Sequence, residues 1–130
     1  MTAATLLARG RAAAEALMVD TCTISRQTGS TVDPNTGAEV PTYAEVYAGK
    51  CRIQFRGLAT ESPTSGQQRV DLLTTEIQLP IAVTDVEVND VVEVVTSLDP
   101  DLPGRRLRIN NRMHKTHATA RRLSVEEITS

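Results

Sequence analysis

Two histidines three positions apart, His114 and His117, and the two cysteines of the chain, Cys22 and Cys51, are the residues whose types could hold a metal. Structural zinc sites bring their cysteines as close pairs, because a short turn between them points both thiolates at one ion. Here the cysteines sit in separate strand-like runs, T-C-T-I-S and K-C-R-I-Q. The plainer reading is two small buried hydrophobes in a reducing compartment, with the histidines exposed in a basic loop. A disulfide is compatible with the sequence but not required by it.

Carboxylates are the other group with chemical potential. Eight acidic side chains lie between Asp71 and Asp101 without a Lys or Arg among them, including Asp85, Glu87, Asp90, Glu93, Asp99 and Asp101. Several alternate with valines, so they read as the solvated outer faces of half-buried strands before they read as an acid/base pair. The chain has no phosphate-cradling glycine loop, nucleophile elbow or H-E-x-x-H. The expectation is a protein that is not an enzyme and uses no cofactor.

The acidic block is followed directly by a basic one. Arg105, Arg106, Arg108, Arg112, Lys115, Arg121 and Arg122 give seven positive charges with no acid among them. The overall net charge of −2 thus conceals two blocks of opposite sign. One reading is phosphate contact, which needs positive charge but no aromatics. The reading preferred here pairs the basic block with the acidic residues, inside the sheet or across a subunit boundary, because the two are adjacent and matched in number.

The elements that must carry these residues follow from hydrophobic period. Thr2 to Met18 is rich in Ala and Leu, with Leu6, Leu7, Gly10, Ala13, Ala14 and Leu17 along one face, and predicts a helix. Such a helix caps an open barrel end or packs on a neighbouring subunit. From Thr21 the period changes to two. Strands are predicted over 21–27, 43–47 and 50–56, with a tight turn at Ala48-Gly49 and a long loop over 28–41 whose tip is Asp33-Pro34-Asn35-Thr36-Gly37. The stretch 69–110, with alternation at Leu73/Ile77/Leu79, Val86/Val88 and Val92/Val94, predicts three more, with a turn at Asn89-Asp90 before the second and a hairpin loop over 99–104 before the third. A last strand is predicted over 119–128.

That makes about seven strands and one helix, without strand-helix-strand alternation. The expected fold is all-β, a small antiparallel β-barrel with an N-terminal helix and long loops, in a single domain of 130 residues. A second loop, 57–68, contains Gly57, Glu61, Ser62, Pro63, Gly66 and Gln67, has little that would pack, and is the candidate lumen loop or arm. No apolar run approaches the roughly 18 residues of a membrane span, and no signal peptide is evident, so a soluble protein made in a cytoplasm is expected. With three aromatics, Tyr43, Tyr47 and Phe55, base stacking has few platforms.

Three runs look familiar: G-R-A-A-A-E-A-L-M-V-D-T-C-T-I-S-R (Gly10 to Arg26), D-P-N-T-G (Asp33 to Gly37) and V-Y-A-G-K-C-R-I-Q (Val46 to Gln54). Together they resemble the head-to-tail stopper, or head-closure, proteins of tailed phages of actinobacteria. The run L-P-I-A-V-T-D-V-E-V-N-D-V-V-E-V (Leu79 to Val94) is similar to small β-barrel neck proteins more generally. The resemblance implies a structural virion protein of the neck, assembled in the host cytoplasm. It implies a homo-oligomeric ring, commonly of six subunits, between a portal-side adaptor ring and a tail terminator or tail tube, with packaged double-stranded DNA in its lumen. Other neck components, an adaptor or a terminator, are the nearest alternatives. A small barrel that binds single-stranded nucleic acid is an alternative of another class.

Overall fold

A computed structural model describes residues 2–58 and 72–128. Helix α1 (Ala3–Ala16) is followed by six strands, β1 (Asp20–Val32), β2 (Glu39–Leu58), β3 (Leu72–Leu79), β4 (Val91–Thr96), β5 (Arg106–Met113) and β6 (Arg121–Glu127). All neighbours are antiparallel, in the order β1-β2-β3-β6-β5-β4, and β4 pairs back onto β1 so that the sheet closes in a ring. The chain is therefore mostly β with one N-terminal helix, as its periodicity predicts.

Closure depends on β2, which serves two neighbours in turn. Its first part pairs with β1 as far as Asp20↔Cys51, and its last part pairs with β3 from Arg52↔Gln78 onward. Inside the ring, apolar side chains meet in cross-strand rows: Ile53–Ile77–Leu123, Cys22–Val94 and Ile24–Val92–Leu107. Ile24, Cys51, Ile77, Leu79, Val92, Ile109 and Leu123 are fully buried there. Period-2 alternation puts every second residue into this core, which is why the strand pattern was readable.

Several expectations are corrected. Strands over 43–47 and 50–56 are one strand, so the described residues hold six rather than seven. Ala48-Gly49 is not a turn. Gly49 lies under the Tyr47 ring, whose hydroxyl donates to the Lys50 carbonyl at 2.7 Å, and a Cβ on Gly49 would stand 2.8 Å from that hydroxyl. The loop over 28–41 is mostly hairpin, because β1 runs to Val32 and β2 begins at Glu39. Its turn does fall on the predicted tip: Asp33 N–H donates to the Ala38 carbonyl at 2.8 Å, and Gly37 has φ 71°. Val86 and Val88 belong to no strand. Val86 is buried and Val88 exposed along an irregular connection, so alternation arose there without a ladder. Gly57 lies in β2, opposite Leu73, and not in a loop. The other residues of the predicted 57–68 loop, Glu61, Ser62, Pro63, Gly66 and Gln67, lie outside the described residues.

Helix α1 starts at Thr2, whose hydroxyl accepts from the Thr5 N–H at 3.2 Å. It rests on the β5–β6 connection. Arg11 Nε donates to the Ala118 carbonyl at 3.2 Å, and Glu15 pairs with Lys50 at 3.0 Å. A Cβ on Gly10 would approach Thr119 Cγ2 to 2.9 Å, the close approach that a glycine in the apolar stripe permits. No helix residue is buried, and Leu6 stays 57 % exposed. No described helix is long and apolar enough to cross a membrane.

Two outcomes test this core. Leu123→Ala, at the centre of the ring, is expected to lower the free energy of unfolding in urea by about 2–5 kcal/mol, whereas Thr31→Ala on the exposed end of β1 should change it by about 0.5 kcal/mol or less. Burial pushes the Tyr47 phenol up to about 12. An acid whose folded value is raised contributes its stability below the unfolded value, near 10, and loses it as pH rises toward 12. In the Tyr43→Phe protein, tyrosinate absorbance should therefore develop around pH 12, with stability falling over the same window; a midpoint near 10 would contradict the burial of Tyr47.

Candidate assembly interface

The four residues considered for a metal are not brought together. Cys22 and Cys51 are interior, whereas His114 and His117 are exposed on the β5–β6 connection. The Cys51 thiol is pushed up by its hydrogen bond with Cys22 and by burial, so it stays protonated. Among the described residues no group of three or more His, Cys, Asp or Glu is placed to hold a metal ion.

The charged blocks are distributed in a way their adjacency did not foretell. A single described ion pair joins them, Arg105 Nη2 to Asp101 Oδ2 at 2.7 Å. Arg105 also reaches Glu127 at 2.6 Å, and Arg108 donates twice to Glu126, at 2.8 and 3.2 Å. The acids that matter most to the basic block are thus the two at the end of β6. Both carboxylates raise the Arg105 guanidinium, Glu127 first. Exposed pairs of this kind contribute little stability, but they fix which way these side chains point.

Three arginines hold the irregular connection over 80–90 onto the ring. Arg121 donates to the Ile81 and Val83 carbonyls, each at 3.0 Å, and Arg112 reaches the Thr84 carbonyl at 3.5 Å. Arg26, from β1, donates to the Asp85 carbonyl at 2.6 Å and to both oxygens of Asp90 at 2.9 and 3.0 Å. Asp90 is only 2 % exposed and also accepts from the Glu87 N–H at 2.8 Å. Its hydrogen bond is the largest cause of the raised Arg26 guanidinium. Glu87 stands 3.6 Å from the same guanidinium but is solvated. Asp85, Glu93 and Asp99 are exposed. Neither Arg26 nor the buried role of Asp90 was marked by sequence, since Arg26 looks like an ordinary surface charge on a strand and Asp90 like an exposed turn residue.

What remains is an exposed charged surface. The side chains of Arg106, Lys115 and Arg122 make no hydrogen bond or ion pair among the described residues. Arg122 lies on the outer face of the ring, in a ladder row with Gln78 and Arg52, and borders a groove of about 190 Å³ together with Met113, His114 and Lys115. Glu76 at its floor is 2 % exposed and accepts from Gln78 at 2.9 Å.

The largest structural feature missed by sequence is the outer end of the β1–β2 hairpin. β4 accompanies β1 only from Thr21 to Ser25, and β3 accompanies β2 only from Arg52. Beyond Arg26 the two strands therefore continue as a ribbon with both edges unpaired, reaching roughly 20 Å at about 3.3 Å per residue. Residues 27–45 are exposed except for Asp33 and Thr42, which are half-buried. Thr28 and Thr42 share hydroxyls at 3.1 Å and Ser30 bonds Glu39 at 2.6 Å across it.

The described residues thus form a closed antiparallel β body with an N-terminal helix and a projecting two-stranded ribbon. The chain belongs to a family of unknown function, DUF6093, whose model matches residues 10–126. It is also similar in fold to protein SF1141 from Shigella flexneri 2a, solved in solution, at 20 % identity and a TM-score of 0.54, over 85 % of this chain and 92 % of that one. No curated protein matches.

Asp90→Ala should strip Arg26 of its buried acceptor and free the connection over 80–90. The expected result is faster amide exchange of Val86 and Asp90 neighbours and a lower urea midpoint, with Glu87→Ala close to wild type; equal effects would contradict the assigned roles.

Proposed function

We propose that this chain is a head-to-tail stopper of a tailed phage, a non-enzymatic structural subunit of the virion neck. In this reading a small β-barrel body forms a homo-oligomeric ring between a portal-side adaptor and the tail, retains packaged DNA and presents the surface on which the tail docks. The observation that carries the reading is the projecting β1–β2 ribbon. A two-stranded hairpin alone in water is marginal, and this one leaves Val32, Val40 and Tyr43 exposed. Such an element has little use in a solitary monomer and a clear one in a subunit that completes its contacts on assembly.

The sequence resemblance supports the same assignment, because its three distinctive runs fall on α1 with the start of β1, on the ribbon tip, and on the stretch of β2 that contains its change of partner. Arg52, Arg106, Lys115 and Arg122, whose side chains have no partner among the described residues, supply a surface for acidic protein or DNA phosphates.

The test is electron microscopy of lysates from a phage carrying an early stop codon in this gene. Separate tails beside tailless, largely empty heads are expected. Infectious, fully joined particles would overturn the proposal.

A further inference from the structure

We infer that the acidic β1–β2 ribbon of one copy docks in the basic groove beside β5 and β6 of a second copy. This names the surfaces of the proposed homo-oligomer and rests on that reading for its biological setting, though not for the contact itself.

The ribbon is one-signed. From Gln27 to Gly49 it carries Asp33, Glu39 and Glu45 and no Lys or Arg, with Val32, Val40 and Tyr43 as its exposed apolar residues. The groove is its complement. Lys115 and Arg122 stand at its rim without a partner among the described residues, beside His114, and Met113 with Ala118 and Ala120 supplies apolar wall. Glu76 is the one acid of the groove, and it lies buried on the floor with Gln78 as a donor, so the accessible rim is positive. The match therefore includes charge and apolar contact on both sides.

Topology favours a second copy over the same chain. In the order β1-β2-β3-β6-β5-β4, β6 stands three strands from β1 in either direction. The groove thus lies across the ring from β1, on which the ribbon of the same chain is rooted. Two unlike patches on opposite sides of one subunit make a heterologous contact, which repeats from copy to copy and closes into a ring when the rotation permits. The unpaired edges of the ribbon add free N–H and C=O groups, and Pro41 on β2 limits edge-to-edge pairing between ribbons, leaving side-chain docking as the favoured mode.

Charge exchange tests this. Sedimentation velocity in low salt should show wild-type self-association that weakens as salt is raised. Glu39→Lys with Glu45→Lys, and separately Lys115→Glu with Arg122→Glu, should each weaken it roughly tenfold or more. An equimolar mixture of the two variants should regain association, since each supplies the surface that complements the other's reversed one; circular dichroism confirms that both are folded. A wild-type chain that stays monomeric, or associates equally well with either surface reversed, would overturn the ribbon–groove contact and leave the neck assignment to the lysate experiment. Groove variants that self-associate normally but fail to join tails would likewise overturn it, and would make the groove's occupant a tail protein.

Discussion

The change of partner in β2 between Cys51 and Arg52 is the constraint from which the rest of the molecule follows. A six-stranded sheet closes only if its strands are staggered, and here one strand of 20 residues takes up much of that stagger by pairing first with β1 and then with β3. The handover sits at the core, where Cys51 is fully buried and hydrogen-bonded to Cys22. It also leaves a remainder. Because β3 does not accompany the first part of β2, and β4 leaves β1 after Ser25, the outer hairpin has no sheet to lie in. The ribbon is thus a direct product of how the ring is closed.

Electrostatics complete the closure. The connection between β3 and β4 has no ladder of its own, so its carbonyls at Ile81, Val83, Thr84 and Asp85 take their donors from arginines on β1, β5 and β6. Asp90 is the buried acceptor that keeps Arg26 aimed at it. Arg105 and Arg108 are turned toward Glu127 and Glu126. Of the cations left over, Lys115 and Arg122 line the groove beside β5 and β6, and Arg106 lies apart from it, beside Tyr43 and Val91. A charge block that reads as one patch in sequence is therefore two populations in space, one binding the fold and one facing outward.

Much of this was legible because burial imposes period two. The core positions of β1, β3, β4 and β6, the ribbon tip, and the helix over 3–16 follow from alternation, turn chemistry and helix propensity. The failures have definite causes. Ala48-Gly49 resembles a turn because glycine usually marks one, whereas this glycine makes room for the Tyr47 ring. The ribbon resembles a loop because its residues are polar on both faces, which is what a strand without a sheet to cover looks like. Val86 and Val88 mimic a strand, although only Val86 packs. The partners of each arginine depend on contacts distant in sequence, such as Arg26 with Asp90, and no local pattern encodes them.

The proposed neck ring, in which the ribbon of one copy docks on the next, makes a direct structural demand. A reconstruction of the virion neck by cryo-electron microscopy checks it. The expected result is a ring of this chain between portal and tail, with the density of residues 27–45 lying beside Lys115 and Arg122 of the adjacent subunit. A neck built without this chain would contradict it.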